Sequence, residues 1–106
     1  MHRSDFMIIG GGPAGSTCAR ALRRKGFSVT VIDKKSFPRD KICAGWITPA
    51  VAHSLELDLE DYARHNTLQA LLGFVTGMIG GHTTRVDYGH AVSYGIRRCE
   101  FDHYLL

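Results

Sequence analysis

Gly10-Gly11-Gly12-Pro13-Ala14-Gly15 follows a short apolar run, residues 5–9, and precedes a segment with a helical pattern, residues 16–25. A strand, a tight glycine turn and a helix N-terminus, in this order, form a binding site for a pyrophosphate, because backbone N–H groups and the helix dipole point at the anion. The stretch therefore predicts the start of a Rossmann-like βαβ unit in an α/β protein.

Each residue of the turn has an expected task. Gly10 suits the tight turn, Gly12 lets the backbone approach a phosphate, and Gly15 allows the helix to pack close to the strand. Pro13 fits the first helical turn, where a missing N–H costs nothing. Ala14 begins an apolar stripe that continues at intervals of three to four residues along the helix.

A second strand follows the helix. Gly26 supplies a stop at the helix C-terminus, and Val29–Ile32 is β-branched throughout, as is typical of strands. Phe6–Ile9 is continuously apolar, which predicts a strand buried on both faces of a parallel sheet. Residues 1–33 are therefore expected to form a complete βαβ unit.

Asp33 closes this second strand, 18 positions after Gly15. A dinucleotide fingerprint places a carboxylate about 20 residues beyond its glycines, where it accepts hydrogen bonds from a ribose. The alternative is an ordinary turn residue at the end of a strand. The glycine turn upstream favours the ribose role.

Basic side chains crowd the next segment, residues 34–49, which we predict to be a loop. Lys34 follows Asp33 directly, and Arg39 and Lys41 are available as partners for an anion. The alternative is a solvated basic loop, which composition alone does not reject.

The remaining segments predict short helices and strands. We expect a capped short helix over 48–55, a helical turn or loop over 58–66, one strand over 68–79, two strands over 83–88 and 92–97, and a helix over 100–106.

Composition narrows the class of protein. The chain has 106 residues, is 44% hydrophobic and has a formal net charge of +3, which is too weak to predict nucleic-acid binding. Three cysteines without a CxxC pair favour a reducing cytoplasm over a disulfide framework. The histidines lack metal-ligand spacing, so no metal site is predicted. No apolar run reaches the roughly 18 residues of a membrane span, and peripheral membrane contact stays open.

Three segments carry a family resemblance. They are residues 8–33 with the glycine turn, residues 37–49 with Pro38-Arg39-Asp40-Lys41 and Cys43-Ala44-Gly45, and Arg98-Cys99-Glu100-Phe101-Asp102 followed by Leu105. Many NAD enzymes share the glycine fingerprint, whereas the other two segments, in this order and spacing, are more specific. The sequence resembles the N-terminal part of the FAD-dependent oxidoreductases of the geranylgeranyl reductase family, within the para-hydroxybenzoate hydroxylase-like flavoproteins.

This resemblance implies FAD as the cofactor. It implies that Gly10, Gly12 and Gly15 hold the FAD pyrophosphate and that Asp33 holds the adenosine ribose. The residues near the flavin or its phosphates would be Arg39, Lys41, Cys43 and Gly45. Arg98, at the start of the last helix, would contact the cofactor. The other candidate cofactor-binding residues are Pro13, Ala14 and Lys34. The sequence departs from the family in having Asp33 where Glu is usual and Ala44 where Gly is common.

The resemblance also implies a reaction. We expect an FAD-dependent oxidoreductase that takes a hydride from NAD(P)H and passes it to an isoprenoid double bond or another small apolar substrate. The alternatives are an FAD-dependent aromatic monooxygenase, an NAD(P)-dependent dehydrogenase and a non-catalytic nucleotide-binding module. No catalytic residue is predicted.

We interpret residues 1–106 as the N-terminal portion of one FAD-binding domain. The chain ends on the apolar pair Leu105-Leu106, and leucines left exposed at a C-terminus lose the free energy of burial. The family's later Gly-Asp motif, which serves the ribityl side of FAD, has no counterpart in the sequence. We therefore expect a fragment of a longer enzyme that is inactive by itself.

Overall fold

The computed structural model describes Met1 and residues 3–106, which form two compact units. The first unit joins Met1–Ile42 to Arg98–Leu106, and the second comprises Cys43–Arg97. The elements in chain order are β1 (Phe6–Ile9), α1 (Pro13–Arg24), β2 (Val29–Ile32), β3 (Trp46–Ile47), α2 (Pro49–Ser54), α3 (Leu59–His65), β4 (Leu68–Leu71), β5 (Gly73–Gly77), β6 (Thr83–Asp87), β7 (Ser93–Ile96) and α4 (Arg98–Leu105).

The first unit contains the predicted βαβ arrangement. β1 and β2 pair in parallel, with Phe6 opposite Val29, so the predicted strand pair is confirmed. α1 begins at Pro13, three residues before the segment 16–25, so the predicted place of Pro13 in the first helical turn is confirmed. Gly12 has the extended backbone of an N-cap. Gly26 follows the end of α1, at the place predicted for the stop.

The face that α1 turns toward the sheet differs from the prediction. The expected apolar stripe comprises Ala14, Cys18, Ala21 and Leu22; its first three residues are exposed and Leu22 is half-buried. Gly15 is the residue that approaches β1, since a Cβ built on it would lie 3.3 Å from Ile8 Cγ2. This contact fixes the rotation of the helix, and Ala19, four residues later, is half-buried.

β1 is more exposed than its continuous apolar sequence predicts. Met7 is 65% exposed and Ile9 is 86% exposed, so burial on both faces is wrong for this chain. The reason is that the sheet of this unit has two strands within the described residues, β1 and β2, and few side chains are available to cover it.

The second unit contains an antiparallel sheet and a separate hairpin. The sheet has the strand order β3–β7–β4, and β5 pairs with β6. The buried apolar side chains of this unit are Ile47, Ala52, Tyr62 and Ile96. The predicted cap of α2 is confirmed, because the Thr48 hydroxyl accepts from the Val51 N–H at 3.4 Å. Residues 58–66, predicted as a helical turn or loop, form the helix α3 with Asp58 as N-cap.

Two predictions for this unit are wrong in detail. Residues 68–79 form two strands, β4 and β5, which belong to different sheets. The change occurs at Gly73, where a Cβ would lie only 2.0 Å from the Val86 carbonyl oxygen. The predicted loop over 34–49 contains the short strand β3, whose Trp46 pairs with Gly95 of β7.

None of the described helices combines the length and the hydropathy that a membrane crossing requires.

Candidate cofactor-binding site

Ten of the twelve predicted cofactor-binding residues line one cleft of about 660 Å³ in the first unit. They are Gly10, Gly12, Pro13, Ala14, Gly15, Asp33, Lys34, Arg39, Lys41 and Arg98. The βαβ connection contributes the glycines and Asp33, and the basic loop and α4 contribute the cations. The structure brings these residues together, and their role in holding a cofactor stays a prediction.

The other two candidates, Cys43 and Gly45, belong to the second unit. The Gly45 N–H donates to the exposed Cys43 Sγ at 3.4 Å. A Cβ on Gly45 would lie 2.6 Å from the Ile96 carbonyl oxygen, so contact with β7 already requires glycine there. Their expected position near a flavin stays a prediction.

Gly12 and Gly15 are glycines for different reasons. A Cβ on Gly15 would lie 1.8 Å from the Gly10 carbonyl oxygen, which no side chain tolerates. A Cβ on Gly12 would lie 3.7 Å from Arg39 Nη2 and 3.7 Å from Arg98 Nη2, which is ordinary van der Waals contact. The folded chain therefore requires glycine at position 15, whereas at position 12 the missing side chain leaves room in the cleft.

The N-terminus of α1 faces the space beside Gly12. Gly12 is the N-cap, no side chain caps the helix among the described residues, and its first turn holds no acidic residue. The first helical bond runs from the Ser16 N–H to the Gly12 carbonyl oxygen at 2.9 Å. The N–H groups of Ala14 and Gly15 precede it, and with the helix dipole they favour an anion.

Two arginines reach the same place from different parts of the chain. Arg39 Nη1 donates to Asp102 Oδ2 at 3.0 Å, and Arg98 Nε donates to Asp102 Oδ1 at 2.5 Å. Arg39 also lies over the Phe37 ring, 4.5 Å from its centroid. Asp102 is fully buried, so both guanidinium groups are held from behind while they face Gly12.

Asp33 lies at the end of β2 and tethers the glycine turn. Its Oδ2 accepts from the Gly11 N–H at 2.9 Å and its Oδ1 accepts from the Lys35 N–H at 3.0 Å. Arg39 Nη2 lies 3.7 Å from Oδ2. The Gly11 N–H is the main cause of a lowered pKa at this carboxyl, with contributions from Lys35 and Arg39. An ionised carboxylate accepts about four hydrogen bonds, so Asp33 keeps capacity for ribose hydroxyls.

A pH dependence follows from this shift. Folding lowers the pKa of Asp33, so its ionised carboxylate stabilises the folded state at pH values above the unfolded pKa, about 3.9. This stabilisation is lost as the pH falls through the lower pKa of the folded state. The pKa of Asp5 is lowered too, mainly by the hydrogen bond from the Ser28 hydroxyl. Asp5 therefore contributes to the same loss of stability at low pH. We expect the urea concentration at the unfolding midpoint to decrease as the pH is lowered below about 4. The Asp33→Asn variant should show a weaker fall, and an identical pH profile would contradict the assignment.

The charge of the cleft suits a polyanion. Its lining holds five basic residues and two acidic ones: Lys34, Lys35, Arg39, Lys41 and Arg98 against Asp33 and Asp40. An excess of cations in the lining of a cleft raises the local concentration of an anionic ligand. A pyrophosphate, with its negative charge shared over several oxygens, matches this lining.

Two residues of the site, Gly11 and Asp102, lie within the quoted motifs but had no predicted role. Gly11 donates its N–H to Asp33, and a Cβ on it would lie 3.0 Å from Phe37 Cζ and 3.3 Å from Leu106 Cδ2. The run of three glycines was a signal for this packing. Asp102 holds both arginines, and its position four residues after Arg98 on a helix was a signal for their contact.

Two relatives resemble the chain in sequence. An uncharacterized protein of Methanosarcina barkeri is 35% identical over 109 residues, which cover 100% of this chain and 26% of that protein. Menaquinone reductase of Mycobacterium tuberculosis is 46% identical over 71 residues, which cover 62% of this chain and 17% of that enzyme. The chain thus spans about a quarter or less of the length of these relatives.

Two solved structures share the fold. The myxobacterial chondrochloren halogenase, a variant of the FAD-dependent halogenases, matches with a TM-score of 0.66 and 29% identity, over 97% of this chain and 25% of that one. A geranylgeranyl bacteriochlorophyll reductase-like protein of Thermoplasma acidophilum matches with a TM-score of 0.79 over 96% of this chain and 26% of that one; at 21% identity it shows the fold alone. The narrower assignment to geranylgeranyl reductases therefore stays a prediction.

The family itself follows from a direct match. The sequence profile of the NAD(P)-binding Rossmann-like domain covers residues 8–65, which include the glycine turn, Asp33 and Arg39. This is more than half of the 106 residues and coincides with the βαβ unit and the loop that build the cleft. The chain belongs to the NAD(P)-binding Rossmann-like domain family.

Proposed function

We propose that the cleft binds the ADP part of FAD and that the protein acts as an FAD-dependent oxidoreductase. The observation that carries the proposal is the convergence of Arg39, Arg98 and the N-terminus of α1 on the open side of Gly12. A side chain on Gly12 would fill this space, so the residues present fit a phosphate group there. The FAD-dependent halogenase among the similar structures supports FAD as the nucleotide.

Each group has a distinct task in this proposal. The N–H groups at the start of α1 and the two guanidinium groups bind the pyrophosphate, and Asp33 accepts hydrogen bonds from the adenosine ribose. Lys34 and Lys41 add positive charge at the rim of the cleft. When bound, FAD supplies the redox chemistry, and the chain contributes binding and orientation.

For the reaction we propose reduction of a small apolar substrate, with NAD(P)H as the electron donor. The menaquinone reductase relative supports reduction as the reaction. The FAD-dependent halogenase among the similar structures favours oxidative flavin chemistry, so the second candidate is an FAD-dependent aromatic monooxygenase. We also propose a cytoplasmic protein, because three cysteines without a CxxC pair favour a reducing compartment.

An NAD(P)-binding dehydrogenase is the other candidate, favoured by the matching family and by Lys34 and Lys35 beside Asp33. A comparison of nucleotide affinities distinguishes the FAD-dependent oxidoreductase from the dehydrogenase. The protein should bind FAD and ADP measurably in calorimetric titration, and purified samples should carry flavin absorbance that denaturation releases. Tighter binding of NADPH than of FAD would favour the dehydrogenase, and binding of ADP without FAD would favour a non-catalytic nucleotide-binding module.

Replacement of Asp33 tests the ribose assignment. We expect Asp33→Ala to weaken ADP binding by about 1.5–3 kcal/mol, because a charged acceptor of hydrogen bonds is lost. Calorimetric titration with ADP measures the effect. Asp5→Ala is the matched control, since Asp5 also accepts hydrogen bonds from a backbone N–H and lies outside the cleft lining. Equal affinity of Asp33→Ala and the unmodified protein would return Asp33 to the role of a turn residue.

A further inference from the structure

Asp102 lies behind the cleft and holds both of its arginines. The residue has no exposed surface, and each carboxylate oxygen accepts from a different guanidinium: Oδ2 from Arg39 Nη1 at 3.0 Å and Oδ1 from Arg98 Nε at 2.5 Å. Arg98 stands four residues before Asp102, whereas Arg39 is 63 residues distant in sequence. The carboxylate therefore joins the basic loop to α4 at one buried point.

The arginines held in this way converge. The Nη2 atoms of Arg39 and Arg98 each lie 3.7 Å from the same point, the position of a Cβ on Gly12. Their side chains are 10% and 20% exposed, so both are largely immobilised before any ligand arrives. A long side chain that is already ordered loses less conformational entropy when it binds.

We propose that Asp102 is a positioning residue that organises Arg39 and Arg98 into a clamp for the phosphate groups of the nucleotide. The inference rests on the proposed function, because it names the residue that builds the phosphate end of that site. Asp102 acts through the two guanidinium groups and not by contact with the ligand. It sets the affinity for the phosphates and leaves the affinity for adenosine unchanged.

The sign of the effect distinguishes positioning from simple electrostatics. Asp102 carries a negative charge close to an anion site, so Coulomb repulsion alone predicts that neutralising it strengthens the binding of phosphate. Positioning predicts weaker binding, because a guanidinium binds phosphate well only when its planar fork is aimed at the oxygens.

The test compares ADP with adenosine by calorimetric titration of the unmodified protein, Asp102→Asn and Asp5→Asn. For Asp102→Asn we expect the affinity for ADP to fall about tenfold and the affinity for adenosine to stay unchanged. Asp5→Asn removes the same charge in the same unit, outside the cleft lining. It should leave both affinities unchanged.

Other outcomes overturn the inference. An equal loss for both ligands would mean that Asp102 only stabilises the unit, and unchanged or tighter ADP binding would mean that it does not position the arginines. If Asp102→Asn does not fold, Arg98→Lys replaces it, since lysine keeps the charge and loses the fork; the same loss for ADP alone is expected, and its absence overturns the clamp. Failure of the unmodified protein to bind ADP would instead overturn the proposed function.

Discussion

Gly12→Val is expected to abolish FAD retention while the chain stays folded. A Cβ at this position meets the two guanidinium groups at 3.7 Å, so the backbone accepts it, but the valine methyl groups occupy the space between the arginines and α1. Loss of two charge-assisted hydrogen bonds corresponds to about 3 kcal/mol or more, over 100-fold in affinity. Flavin content after purification and calorimetric titration with ADP measure the effect.

Gly81→Val is the matched control for this prediction. Gly81 lies in the turn between β5 and β6, where a Cβ would be 3.4 Å from Met78 Cβ, and it too has ordinary room for a side chain. It belongs to the second unit, which contributes no residue to the lining of the cleft. We expect normal nucleotide binding in Gly81→Val. Normal flavin content in Gly12→Val would refute the placement of the phosphate.

Gly15→Ala is expected to unfold the first unit. The new Cβ would lie 1.8 Å from the Gly10 carbonyl oxygen, and backbone cannot move aside as the end of a flexible side chain can. Separation of α1 from β1 disrupts the packing of the βαβ unit, so we expect a loss of about 3 kcal/mol or more. Urea unfolding followed by circular dichroism measures the effect.

Gly12→Ala supplies the comparison three residues earlier. Both substitutions remove a glycine from the same turn and add one methyl group. Only the new Cβ at position 15 would clash with a backbone atom, the Gly10 carbonyl oxygen at 1.8 Å. Gly12→Ala should therefore unfold at a urea concentration close to that of the unmodified chain. A similar loss of stability in both variants would contradict the distinction between packing and binding glycines.

The βαβ unit could be predicted from sequence because its signals are local. Glycine spacing, Pro13 at the first helical position and the β-branched run of β2 each act within a few residues, and the structure has all three elements. The gathering of the candidate residues around one cleft was also foreseeable, since the fingerprint and Asp33 lie at the ends of adjacent parallel strands.

Features that depend on distant contacts were not predictable in this way. Apolar sequence over 68–79 contains no sign that the chain changes partners at Gly73, because the cause is the close approach of Val86 from another strand. The exposure of Ile9 depends on how many strands cover the sheet, which its own sequence does not specify. The pairing of Arg39 with Asp102 spans 63 positions and leaves no periodic trace.

Arg39 links two carboxylates, since it contacts Asp102 beside the proposed phosphate position and Asp33 at the proposed ribose position. Because both carboxylates contact the same side chain, loss of either one loosens the same guanidinium. The free-energy changes of Asp33 and Asp102 substitutions should therefore not add, as is general for residues in one ion-pair network.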